Sequence, residues 1–122
     1  MSKITSDELK EIFSHSIGTE AYHRLTLFPL NCTDGIVEIA EKCGAYWLCD
    51  VIASYQVEEK IKKVPFQVWN FTVHENNTAD IFMNEDIGKP HLVKQHIKYT
   101  DFPVGTWKFY LIDNVLMVPN EY

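Results

Sequence analysis

Arginine occurs once, cysteine three times and glycine five times in 122 residues, and no long apolar run is present. A membrane-crossing helix needs about 18 or more apolar residues in succession, so no membrane partner is expected. Met1 to Ile12 lacks an apolar leader core, which predicts a chain that stays in the cytoplasm. The scattered glycines form neither Gly-x-x-x-x-Gly-Lys-Ser/Thr nor Gly-x-Gly-x-x-Gly, the backbone cradles that hold phosphates. A Gly-x-Ser-x-Gly nucleophile elbow is missing too. Cys32, Cys43 and Cys49 are odd in number and separated by ten and five residues, which is not a zinc spacing. They read as reduced, mostly buried thiols. His91 and His96 stand five apart in a strand-like run, so alternation places them on opposite faces, where they cannot share a metal. Neither a metal nor a cofactor is expected, and the large familiar enzyme classes drop out.

Positive charge is also in short supply. Eleven Lys and Arg stand against 17 Asp and Glu, a formal charge of −6. Residues 1–61 hold 5 basic and 10 acidic groups, residues 62–122 hold 6 and 7. An acidic chain is repelled by phosphate, so nucleic acid is a disfavoured partner. The density is too modest for whole-surface DNA mimicry. Lys60, Lys62 and Lys63 form the one basic run and suit the end of a helix.

What is present fits one folded domain over residues 1–122, with 46% hydrophobic and 23% charged residues. Thr5 and Glu8 make a capping-box pair, after which Leu9, Ile12 and Phe13 recur at helical spacing toward a stop at Gly18. Residues 19–31 are ambiguous: a turn from Thr19, then extended chain through Leu25, Leu27 and Pro29. Thr33-Asp34-Gly35 opens a second helix with Ile36, Ile39, Ala40 and Cys43 on one face and Gly44 at its end. Ala45 to Tyr55 is apolar nearly all round and predicts a central, mostly buried helix. Pro65 then blocks continuation.

Beyond Pro65 the pattern alternates. Phe66–Val73, Thr78–Met83, His91–Thr100, Trp107–Ile112 and Val115–Val118 read as strands, with Asp113-Asn114 as a two-residue hairpin loop. Asn84–Pro90 reads as a loop. Helices followed by strands on short turns predict an α+β domain. The N-terminal helices would pack on a four- to five-stranded antiparallel β-meander. Lys94, His96 and Lys98 alternate on a face that should meet water. Tyr46, Trp47, Trp69, Trp107 and Tyr110 suit the core.

Asp50 falls within the most apolar helix, where a bare carboxylate is costly. Arg24, the sole guanidinium, is its natural partner, with His23 as a second. The four residues His23, Arg24, Asp50 and Tyr46 therefore form either a structural clasp or a small-ligand, nucleotide-binding or enzymatic pocket.

Tyr22-His23-Arg24, Thr33-Asp34-Gly35, Gly44-Ala45-Tyr46-Trp47-Leu48-Cys49-Asp50, Phe66-Gln67-Val68-Trp69, Asp101-Phe102-Pro103 and the ending Pro119-Asn120-Glu121-Tyr122 carry a resemblance. From about Thr19 to Tyr122 the chain resembles a family of small proteins, a domain of unknown function found in bacteria, phages and mobile elements. The resemblance implies a habitat rather than an activity: an accessory role inside a bacterial host cell. Combined with the missing catalytic motifs, it predicts a small acidic protein acting by protein–protein contact. An inhibitor of a host defence complex is the concrete form. Asp7, Glu8 and Glu11 on the first helix, with Lys94, His96 and Lys98, are the candidate partner surface. Pairing of exposed strand edges also leaves a homodimer open.

Overall fold

A computed structural model describes residues 4–15, 22–24, 30–85 and 91–121. Helix α1 (Ser6–His15) is followed by β1 (Asn31–Cys32), α2 (Asp34–Cys43), α3 (Tyr46–Tyr55) and the single turn α4 (Glu59–Lys62). Then come β2 (Phe66–Val73), β3 (Ala79–Asn84), β4 (His91–Ile97), β5 (Gly105–Ile112), β6 (Val115–Met117) and a 3-10 turn over Pro119–Glu121. The stop at Gly18, the Thr19 turn, the Leu25–Pro29 stretch and most of the Asn84–Pro90 loop lie outside the described residues.

The local signals act as their chemistry dictates. Thr5 and Glu8 exchange side-chain-to-backbone bonds of 3.0 and 3.1 Å, a complete capping box. Thr33 is the N-cap of α2, and Gly44 ends it in the left-handed region at φ 62°, where a side chain would be strained. Asp113 and Asn114 both take positive φ, 50° and 67°, the backbone that matches the twist of a tight hairpin. The exposed residues of α3 are Tyr46, Asp50 and Ser54, four apart. This helix is therefore amphipathic rather than buried all round, and Asp50 stands in its wet stripe.

The α+β class holds, and the sheet is mostly antiparallel. Its architecture differs from a sequential meander. Six strands lie in the order β1-β6-β5-β2-β3-β4, and β1 runs parallel to β6. After β4 the chain returns to the far side of β2, where β5 pairs along the full length from Phe66↔Ile112 to Val73↔Gly105. Burial accounts for this order. Trp107, Phe109 and Leu111 of β5 are buried and gain most beside Trp69 and Phe71 of β2. Strand β4 is half exposed and carries lysine, both of which suit an edge.

All four helices bury onto one face of the sheet. Leu9 and Ile12 of α1, Ile36 and Ile39 of α2, Leu48 and Ile52 of α3 and Ile61 of α4 share one core with Trp69, Phe71, Ile81 and Phe109. Gln67 is a fully buried polar member of this inner face. Its side chain bonds Gln56, the Ile61 carbonyl and the Trp69 indole, all at about 3 Å. Truncation of Leu9 to alanine, at a fully buried contact between α1 and the core, is expected to lower stability by about 2–5 kcal/mol in urea unfolding.

Candidate functional site

Two places gather the polar side chains singled out in the sequence. The first is the N-terminal end of α2. Backbone exchange between His23 and Cys32 (2.8 and 2.7 Å) sets His23 beside this helix start. Its Nε2 lies 2.8 Å from Asp34 Oδ1, with both side chains about two-fifths exposed. From the other end of the chain, Glu121 reaches the same helix start. Thr33 Oγ1 donates to Glu121 Oε1 at 2.5 Å, the Gly35 N–H to Oε2 at 3.2 Å, and the Val118 N–H to Oε1 at 3.1 Å. A carboxylate here satisfies donors that the first helical turn leaves unpaired and complements the helix dipole. An intramolecular acid thus occupies the place where this helix could otherwise hold an anion.

The expected clasp is not formed. Asp50 and Arg24 are both exposed, and no ion pair joins them; His23 is bonded to Asp34 instead. The premise was a carboxylate inside an all-round apolar helix. Asp50 faces water, so nothing demands a guanidinium partner. Tyr46, 43% exposed, lies on that same outer stripe of α3. The four pocket candidates are therefore divided between β1's neighbourhood and the outside of α3.

The second place is the face of the sheet opposite the helices. Strand register lays out its rows. Met117, Tyr110, Val68 and Asn84 form one; Lys108, Asn70, Phe82 and Lys94 the next; Thr106, Thr72, Asp80 and His96 the third. Phe66 packs against Tyr110 at a tilt of 58° with centroids 5.0 Å apart, and His91 stacks on Phe82 at 4.6 Å. The Lys94 ammonium sits 5.9 Å above the Phe82 ring. His91 belongs to this face, as His96 does, because the β3–β4 register shifts between Met83 and Asn84. That bulge overturns the simple alternation, which put the two histidines on opposite sides. Asp80 is the one acid among the described strand residues of this face. It accepts from His74 Nε2 at 2.8 Å and from His96 Nδ1 at 2.9 Å. These bonds hold its carboxyl below the usual range.

Residues 7–122 match DUF6876, a family of unknown function. The chain belongs to DUF6876. No curated protein and no solved structure matches it.

In this DUF6876 chain the strings that carry the resemblance assemble in space. Tyr22-His23-Arg24, Thr33-Asp34-Gly35 and Pro119-Asn120-Glu121 converge on the start of α2. Trp47 of the Gly44–Asp50 block packs edge-on against Phe71 at 5.7 Å, and Phe71 in turn meets Phe102 of Asp101-Phe102-Pro103 at 5.0 Å. The Glu121 cap escaped sequence reasoning because its partners lie some 86 to 88 positions away. All three thiols are buried, and burial and then the Asp101 charge push Cys43 up to about 12. The Cys49 thiol is also pushed up, first by its hydrogen bond with Cys32 and then by burial. No group of three metal-ligating side chains is found among the described residues.

The partner-surface candidates separate. Asp7, Glu8 and Glu11 are exposed on α1 in the helical layer, whereas Lys94 and His96 project from the opposite side of the sheet, with Lys98 exposed just beyond β4. One flat contact cannot use both sets.

Two outcomes follow for this site. Glu121→Ala is expected to cost about 1–3 kcal/mol in urea unfolding, since it strands buried donors, with Glu121→Gln recovering part of the loss. Asp80 has a lowered folded-state pKa, so its contribution is full above the unfolded value of 3.8 and fades as pH falls through the lower folded value. The stability gap between the wild type and Asp80→Asn, read from urea midpoints between pH 6 and pH 2, is expected to shrink toward the acid end.

Proposed function

We propose that this protein is a binding module that docks an acidic partner protein on the open face of its sheet. One observation carries the reading: charge is sorted between the two layers. Lys94, Lys108, His91 and His96 surround Phe66, Phe82, Tyr110 and Ile112 on the open face, and its single strand acid, Asp80, is engaged by two histidines. The helices carry an excess of acid, with Asp7, Glu8, Glu11, Asp34, Glu38, Glu41, Asp50 and Glu59 against Lys10, Lys42, Lys60 and Lys62.

An aromatic centre with a charged rim is the usual build of a protein contact, in which rings supply energy and the rim supplies selection. The net charge of −6 disfavours nucleic acid as the occupant of this face. A local acidic patch interacts mainly within the screening length of about 8 Å, whereas a long polyanion also meets the acidic helices. In the inhibitory form of this reading, the module covers an acidic surface that the partner needs for its own contacts.

The test compares affinity capture from bacterial lysate by the wild type, Lys94→Glu/Lys108→Glu and Asp7→Lys/Glu11→Lys. The wild type and the α1 variant are expected to retain the same protein, with loss on charge reversal of the sheet face and on raising salt. Equal retention by all three proteins, retention of nucleic acid alone, or no retained protein overturns the proposal.

A further inference from the structure

A groove of about 390 Å³ opens on the helix side of the sheet, away from the proposed docking face. Gly44, Trp47, Ile97, Tyr99, Thr100 and Asp101 line it. Its walls come from the α2–α3 junction and the connection between β4 and β5. That connection is firmly held. The Thr100 N–H donates to the Asn77 carbonyl at 2.8 Å, and the Phe102 N–H to Thr100 Oγ1 at 3.1 Å. The Phe102 ring is buried against Phe71, and the Trp107 indole donates to the Pro103 carbonyl at 2.9 Å. Asp101 is thus carried on a fixed loop between two buried anchors. Trp47 is held by its edge-on contact with Phe71, and Tyr99 leaves a 66% exposed ring at the groove mouth.

Two features of this lining favour one ligand chemistry. Two electron-rich rings attract a cation over their faces. Asp101 adds a carboxylate. Among the described residues, no lysine, arginine or histidine lines the groove. Ile97 and the rings make much of the wall apolar, which suits a weakly hydrated methylated ammonium better than a bare ammonium that must keep hydrogen-bond acceptors. We infer that the groove between Trp47, Tyr99 and Asp101 binds a methylated alkylammonium group. The inference stands apart from the proposed docking face and shares no residue with it.

The test uses the full chain and three probes: tetramethylammonium, choline and the neutral choline isostere 3,3-dimethylbutanol. Binding is followed by the Trp47 indole N–H signal in NMR spectra. Both cations are expected to shift that signal saturably, while the neutral isostere does not. Tyr99→Ala removes an exposed ring and leaves the core intact, and it is expected to weaken cation binding about two- to fivefold, the scale of one exposed cation–π contact. Asp101→Asn is expected to weaken it comparably, with both variants checked as folded by their spectra. No saturable shift, equal binding of the neutral isostere, or unchanged affinity in folded Tyr99→Ala and Asp101→Asn overturns the inference. Guanosine competing for the groove in place of the cations also overturns it, since flat stacking beside a carboxylate would then be the chemistry.

Discussion

Trp69 and Phe71 sit at the middle of β2 at 1% exposure, and the rest of the fold keeps them dry. On either side, β5 and β3 supply Trp107, Phe109, Ile81 and Met83. Above them, four helices contribute apolar faces too small to be stable alone. A ten-residue helix is marginal in water, so α1, α2 and α3 exist because this aromatic floor is beneath them. Gln67 fits the same logic. Its amide is tolerated in the core because it satisfies Gln56, the end of α4 and the Trp69 indole together.

Covering one face of the sheet leaves the other to the solvent, and the surface chemistry follows from that asymmetry. The helices turn their polar sides outward and bring eight acids with them. The open face keeps its lysines and histidines around a row of rings. Asp80, the acid among them, accepts hydrogen bonds from both His74 and His96. At the edge of the helical layer, where α2 hands over to α3, the same packing leaves the groove beside Trp47. The two surfaces differ in chemistry because they face different layers.

The 3-10 turn Pro119–Glu121 is tied to two helices. Glu121 closes the N-terminal turn of α2, and Asn120 bonds the last carbonyls of α1, Phe13 and Ser14, at 3.0 and 3.2 Å. One short 3-10 turn therefore ties together the first helix, the second helix and the last strand. The arrangement gives α2 its anion from within the protein, and this separates its helix start from the ligand-binding helix starts of nucleotide-binding folds.

Local chemistry alone determined the capping box at Thr5 and Glu8, the bounds of α2 between Thr33 and Gly44, the hairpin at Asp113-Asn114 and the α+β class. Each depends on residues within a few positions of one another, where propensity and hydrogen-bond geometry act directly. Lys94 and His96 were legible as water-facing for the same reason, since alternation is a local property of a strand. Tertiary structure decided the rest. The place of β5 beside β2 depends on which aromatic rows bury most area together, a choice made across some forty residues. The bulge that turned His91 toward His96, the Glu121 cap and the separation of Arg24 from Asp50 are likewise settled by distant partners. A sequence window registers that Asp50 has apolar neighbours, but only the packed helix shows which of its sides the core leaves to water.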